Sequence, residues 1–180
     1  MCLSHHQKGF TLVELLVVCG IFSAVVVVIA GIFVSLIQIQ RDIILTKKAL
    51  REINYALEFM SRALRTAKKE LDKTEPCIPY GYNYYQASND QIKFINRNEN
   101  NECQEFYLQN GQIKFKRPDK PALSLTSPTV KISQLTFFLQ GQSQDDNRQP
   151  LVTIVLAAEI GNKKLHFQTS VSQRDLDRKY

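Results

Sequence analysis

From Leu15 to Ile37 the chain runs for 23 residues without a charged side chain, LLVVCGIFSAVVVVIAGIFVSLI. At ~1.5 Å per residue a helix of that length spans roughly 35 Å, enough to cross a hydrocarbon core of about 30 Å. A secretory signal peptide would carry a shorter apolar stretch followed by a small-residue cleavage site. The residues after this run, Gln38-Ile39-Gln40-Arg41, offer no such site. Hydrophobic residues make up 44% of the chain and charged residues 22%, which excludes a disordered or collagen-like protein. A large share of that apolar content lies in residues 10–37, so the polar remainder has only a modest core to bury. No segment recurs at a fixed period, which excludes solenoids and propellers.

Glu14 is the residue that a plain membrane anchor leaves unexplained. A carboxylate within an apolar helix costs about 2.5–3.5 kcal/mol at the centre of a bilayer and less near an end, and it usually has a partner. The plainer alternative starts the span at Leu15 and leaves Glu14 among the headgroups. Ahead of it stands a short polar leader, MCLSHHQKG, ending in Lys8-Gly9.

The string Gly9-Phe10-Thr11-Leu12-Val13-Glu14-Leu15-Leu16-Val17 resembles the N-terminal signature of type IV pilins and type II secretion pseudopilins. The resemblance implies cleavage by a membrane prepilin peptidase between Gly9 and Phe10, methylation of the new Phe10 amine, and an assembly role for Glu14. In that family the acid reaches the terminal amine of a neighbouring subunit in a staggered helical filament. Pairing two charges in an apolar bundle relieves much of the burial penalty of each and selects the axial register. Gly20, Ser23, Ala24, Ala30, Gly31 and Ser35 give small faces for close helix approach, without a simple GxxxG pattern. Many pilins carry a proline about where Gly31 sits, so Gly31 is a weaker break. Lys8 alone precedes the span while Arg41, Lys47 and Lys48 follow it, which opposes the positive-inside rule. The leader motif outweighs that count, because cleavage requires Gly9 at the cytoplasmic face.

Beyond the span, Leu50, Ile53, Leu57, Met60, Leu64, Ala67 and Leu71 recur at spacings of three and four. They form one apolar stripe, with Glu52, Arg62, Arg65 and Lys69 off it. A coiled coil has the same spacing; packing on the chain's own globular domain is the expected role. No glycine or proline interrupts residues 32–75, so one helix is expected from about Phe10 to about Lys73, stopped by Thr74-Glu75-Pro76. Between Arg41 and Lys73 nine basic residues face five acidic ones, and most of the chain's +6 charge sits there. A solvated helix near a membrane is favoured over a polyanion site, since no series of aromatics accompanies the charge.

After Pro76 the pattern turns strand-like. Strands are expected in the aromatic stretch 80–85, at 91–95, at 105–109 and 112–116 around the hairpin signal Asn110-Gly111, and at 130–140, 151–160 and 165–171, with Gly161-Asn162 turning between the last two. The fold class is therefore α+β, a long N-terminal helix packed on an antiparallel sheet, as in pilins. The expected organisation is a leader at 1–9, a transmembrane and filament-core helix at 10–37, its amphipathic continuation at 38–75, and a globular β domain at 76–180. The stretches 54–60 and 167–174 are similar to minor pilins and one minor pseudopilin class, which favours a minor subunit.

Of the four cysteines, Cys2 leaves with the leader and Cys19 is a small apolar residue in mid-span. Cys77 and Cys103 fall in the part that the resemblance places outside the cytoplasm, where disulfides persist. A disulfide between them is expected, with two free thiols as the alternative. His5 and His6 belong to the leader, and His166 stands off the core face of its strand. No nucleophile motif, phosphate loop or metal-ligand spacing occurs; Asp145-Asp146 reads as a solvated loop rather than a calcium site. The expectation is a structural subunit with no enzymatic activity, cofactor or metal. Its partners would be prepilin peptidase, other pilin or pseudopilin subunits, and membrane lipid before assembly. It would be a single-pass inner-membrane protein with an extracytoplasmic C-terminal domain, later part of a periplasmic or surface filament. The alternatives are a tip-located pilin that captures DNA or a surface, and a membrane sensor with an uncleaved leader.

Overall fold

A computed structural model describes residues 9, 11–142, 148–161 and 163–174. The chain divides into two compact units, Met1–Leu45 and Thr46–Tyr180. One helix, α1 (Leu12–Arg65, 54 residues), contributes to both. Its residues up to Leu45 are exposed, including the whole apolar run, and the helix is long and apolar enough to cross a membrane. Within that run Ser23 Oγ donates to Cys19 C=O one turn back at 2.8 Å. It thereby needs no external partner in an apolar surround.

In the second unit α1 turns Ala49, Ile53, Ala56, Met60, Ala63 and Leu64 into the core. Ile53, Met60 and Leu64 of the expected stripe are fully buried, whereas Leu50 and Leu57 flank it half-buried. Nine strands follow among the described residues: β1 (Ala67–Lys68), β2 (Tyr84–Tyr85), β3 (Gln91–Asn96), β4 (Glu102–Gln109), β5 (Gln112–Lys116), β6 (Leu123–Ser124), β7 (Lys131–Gln140), β8 (Leu151–Ile160) and β9 (Lys163–Ser172). They form two antiparallel sheets rather than one. The first has the order β1-β3-β4-β5-β6 with β2 also on β3, and the second is β7-β8-β9. The break falls at 125–130, where Ser127 leaves the ladder and donates from N–H and Oγ to Glu52 of α1 at 3.1 and 2.6 Å.

The hairpin at Asn110-Gly111 forms as its sequence requires. Both residues have positive φ, 52° and 70°, the twist that fits a two-residue turn between right-twisted strands. Phe106 then faces Phe115 and Leu108 faces Ile113 across the pair. Phe59 of α1 meets Phe106 and Phe115 edge-on at 6.1 and 5.1 Å, joining helix to sheet.

The helix stops at Arg65, eight residues before the expected Lys73. Neither glycine nor proline ends it; tertiary partners take its last carbonyls. Tyr84 Oη donates to Leu64 C=O, Arg174 N–H to Arg65 C=O, and Thr66 N–H and Oγ1 turn back onto Ala63 C=O. Ala67 and Lys68 then pair with Asn96 and Ile95 of β3. With its carbonyls satisfied and an edge strand available, the backbone gains nothing by continuing as helix. Ala67 is buried as a strand residue, and Leu71 is exposed. The aromatic stretch 80–85 is also corrected: only Tyr84–Tyr85 is strand, because Glu70 N–H and C=O bond Tyr82 C=O and Gly81 N–H and hold 81–82 in a loop.

Candidate functional site

The first helical turn is built by Thr11. Its Oγ1 accepts from the N–H of Glu14 at 3.3 Å and its carbonyl accepts from Leu15 N–H at 3.2 Å. Thr11 is thus the N-cap and Glu14 the third helical residue, the T-x-x-E spacing of a capping box. That spacing stands in the sequence and gives Glu14 a role in starting the helix, besides any role toward a partner. A carboxylate in the first turn also lies at the positive end of the helix dipole.

Glu14 is exposed, and Gly9, the expected junction, is exposed and outside any helix or strand. Phe10, expected to become the methylated terminus, and the leader residues 1–8 lie outside the described residues. The Asp145-Asp146 pair likewise lies outside them. Glu14 stands four positions after Phe10 in the sequence, a spacing close to one helical turn. Glu14 is exposed beside the likewise exposed Leu12, Val13, Leu15 and Leu16, and no ion pair of Glu14 occurs among the described residues.

Cys77 and Cys103 belong to the other unit, where they form a disulfide with Cα atoms 5.7 Å apart. The bond ties the 70–82 loop to β4. The same loop is pinned by Glu70, a buried carboxylate that accepts from the N–H groups of Asp72 and Cys77, both at 2.9 Å. Nothing in the sequence marks Glu70 as buried, since it sits in a run of alternating charges. His166 is exposed on β9, as its alternation implies. Burial pushes the Tyr84 hydroxyl well above the ordinary tyrosine range, so it stays protonated and keeps donating to the helix end.

Residues 4–30 match the family model for the prokaryotic N-terminal methylation motif. That motif is the hallmark of type IV pilins and pseudopilins, and this chain carries it. No curated protein and no solved structure matches the chain.

Proposed function

We propose that this protein is a structural subunit, of the minor kind, of a type IV pilus-like or type II secretion pseudopilus filament. The observation that carries the reading is the methylation motif at residues 4–30, set on a helix whose residues 15–37 are uncharged and exposed and directly follow Glu14. Prepilin peptidase cuts after Gly9 and methylates Phe10. The new amine and Glu14 are then opposite charges at one end of an apolar rod. In the membrane the rod is a span with the globular unit on the extracytoplasmic side. In the filament the same surface packs against sister helices, and the Phe10 amine of one subunit pairs with Glu14 of its neighbour. A slipped subunit would leave both charges unpaired in an apolar surround, which costs several kcal/mol. The chemistry is therefore assembly rather than turnover, consistent with the structural role of proteins that carry this motif. Similarity of residues 54–60 and 167–174 to minor subunits supports the minor assignment.

The test compares wild type, Glu14→Gln and Glu14→Val in the membrane and sheared-filament fractions at equal expression. Membrane insertion holds or improves in Glu14→Val, since the insertion penalty of the carboxylate is gone. Incorporation into filaments falls in the order wild type, Gln, Val. Equal incorporation of all three would reduce Glu14 to a helix-capping and interfacial residue and refute the register mechanism.

A further inference from the structure

The turn between β3 and β4 holds polar groups beside the last turns of α1. Glu102 N–H donates to Glu99 C=O at 2.9 Å, and Asn100 and Asn101 at the centre of the turn have φ of 53° and 60°. A type I′ turn requires positive φ at both central positions, which asparagine tolerates. The turn sets Glu99 and Glu102 at 3.7 and 3.9 Å from Arg117, which follows β5 and lies over the Phe115 ring. Glu99, Arg117 and Phe115 line a cavity of about 340 Å³ together with Phe59, Asn98 and Gln104. Ligand pockets range over about 300–1,000 Å³, so the space suits a small molecule.

Gln104 is 1% exposed. Its amide orientation follows from its neighbours. Asn98 N–H can only donate, so the Asn96 atom that it meets at 3.0 Å is Oδ1. Asn96 Nδ2 therefore donates to Gln104 Oε1 at 3.0 Å, which leaves Gln104 Nε2 without a hydrogen-bond partner. Such a buried donor is costly, and it marks a place for an incoming oxygen atom. Glu102 Oε2, two residues back on the same face of β4, is also buried without a hydrogen bond. Among the described residues, each charged side chain that lines the cavity already has an opposite partner: Arg62 is bridged to Glu58, and Arg117 to Glu99. An ionic ligand would have to break these pairs, so the fitting ligand is uncharged. It has to accept from an amide and donate to a carboxylate, and a hydroxyl group does both. A peptide would need a free strand edge or an open anchor pocket. Here β4 is flanked by β3 and β5, and the Phe59 and Phe115 rings pack edge-on against each other at 5.1 Å. We propose that this cavity binds a neutral sugar, held by Gln104 Nε2, the Glu99 carboxylate and the Asn98 amide. The site lies wholly in the globular unit and does not depend on the role of the N-terminal helix.

The full chain in dodecylphosphocholine micelles, a detergent without a sugar head, is titrated by saturation-transfer NMR. The probes are glucose, galactose, N-acetylglucosamine and lactose, with glucuronate and an uncharged Gly-Ser peptide beside them. At least one neutral sugar binds with a Kd on the order of 1 mM that does not change with salt, as expected without ionic contacts. Gln104→Met weakens that binding about fivefold, the loss of one hydrogen bond, while Gln168→Met on the exposed face of β9 stays within about twofold. Should Gln104→Met not fold, the exposed Asn98→Ala carries the comparison, with a loss of about threefold. Equal losses in the Gln104 and Gln168 variants would overturn the proposal. So would tighter binding of glucuronate or of the peptide than of every neutral sugar, or no binding of any sugar.

Discussion

Glu52 illustrates how a side chain off the apolar stripe can matter as much as one on it. By spacing it reads as a solvated helix residue, and it is instead half-buried and accepts two hydrogen bonds from Ser127 on its Oε2. Those bonds hold the segment where the first sheet ends and the chain crosses to the second. Glu52→Ala leaves the Ser127 N–H without its acceptor and should destabilise the globular unit by about 1–3 kcal/mol. Glu52→Gln retains an acceptor and should cost less. Urea unfolding of the protein in micelles, followed by tyrosine fluorescence, checks the order; equal midpoints for all three proteins would remove Glu52 from the fold's essential contacts. Glu14 makes the complementary point. Its motif was readable from the string alone, and its capping by Thr11 was written in the same four residues.

Among the elements, those with strong local signals formed where their residues predicted. The Asn110-Gly111 hairpin and the long strands β7, β8 and β9 needed only turn chemistry and alternation. The end of α1 and the two-residue strands β1 and β2 were not readable locally, because they depend on partners far along the chain. Thr66 to Glu70 has good helical composition, and the sheet edge of β3 overrides it. The Cys77–Cys103 link, expected from the compartment that the resemblance implies, acts on a loop that has little core of its own. It closes a separation of 26 residues, and replacing both cysteines by serine should cost about 3 kcal/mol in the loop-entropy account. Denaturant midpoints of the oxidised wild type and the double variant test this; unchanged midpoints would mean that Glu70 alone suffices to hold the loop.

The second sheet carries a pH-sensitive contact. Glu159 on β8 lies 3.2 Å from Lys131 on β7 and 3.6 Å from Lys164 on β9. The Lys131 ammonium, by hydrogen bond and charge, and then Lys164 hold its carboxyl below the ordinary value of 4.5. A depressed folded value means that stability is present above 4.5 and is lost as the pH falls through the lower folded value. Glu159→Gln should therefore flatten that part of the acid unfolding profile and leave stability at neutral pH nearly unchanged, as expected for an exposed pair. An unaltered acid profile would assign the pH dependence to other carboxylates.

At the scale of the whole molecule, one chain carries two kinds of surface. In the proposed function, the exposed apolar helix, Glu14 and the methylation motif at its start serve entry into a membrane and a fibre. These features were open to sequence reasoning because a run of 23 uncharged residues and a contiguous motif are local features. The end of α1 was not, since Tyr84 and Arg174 reach the Leu64 and Arg65 carbonyls only once both sheets are built. The central claim is that the chain is processed at Gly9 and acts through a free Phe10 amine. Intact-mass measurement of protein purified from cells with active prepilin peptidase tests it most directly. The account predicts a chain that begins at Phe10 and bears one methyl group on its amine. A chain that retains residues 1–9 would contradict it.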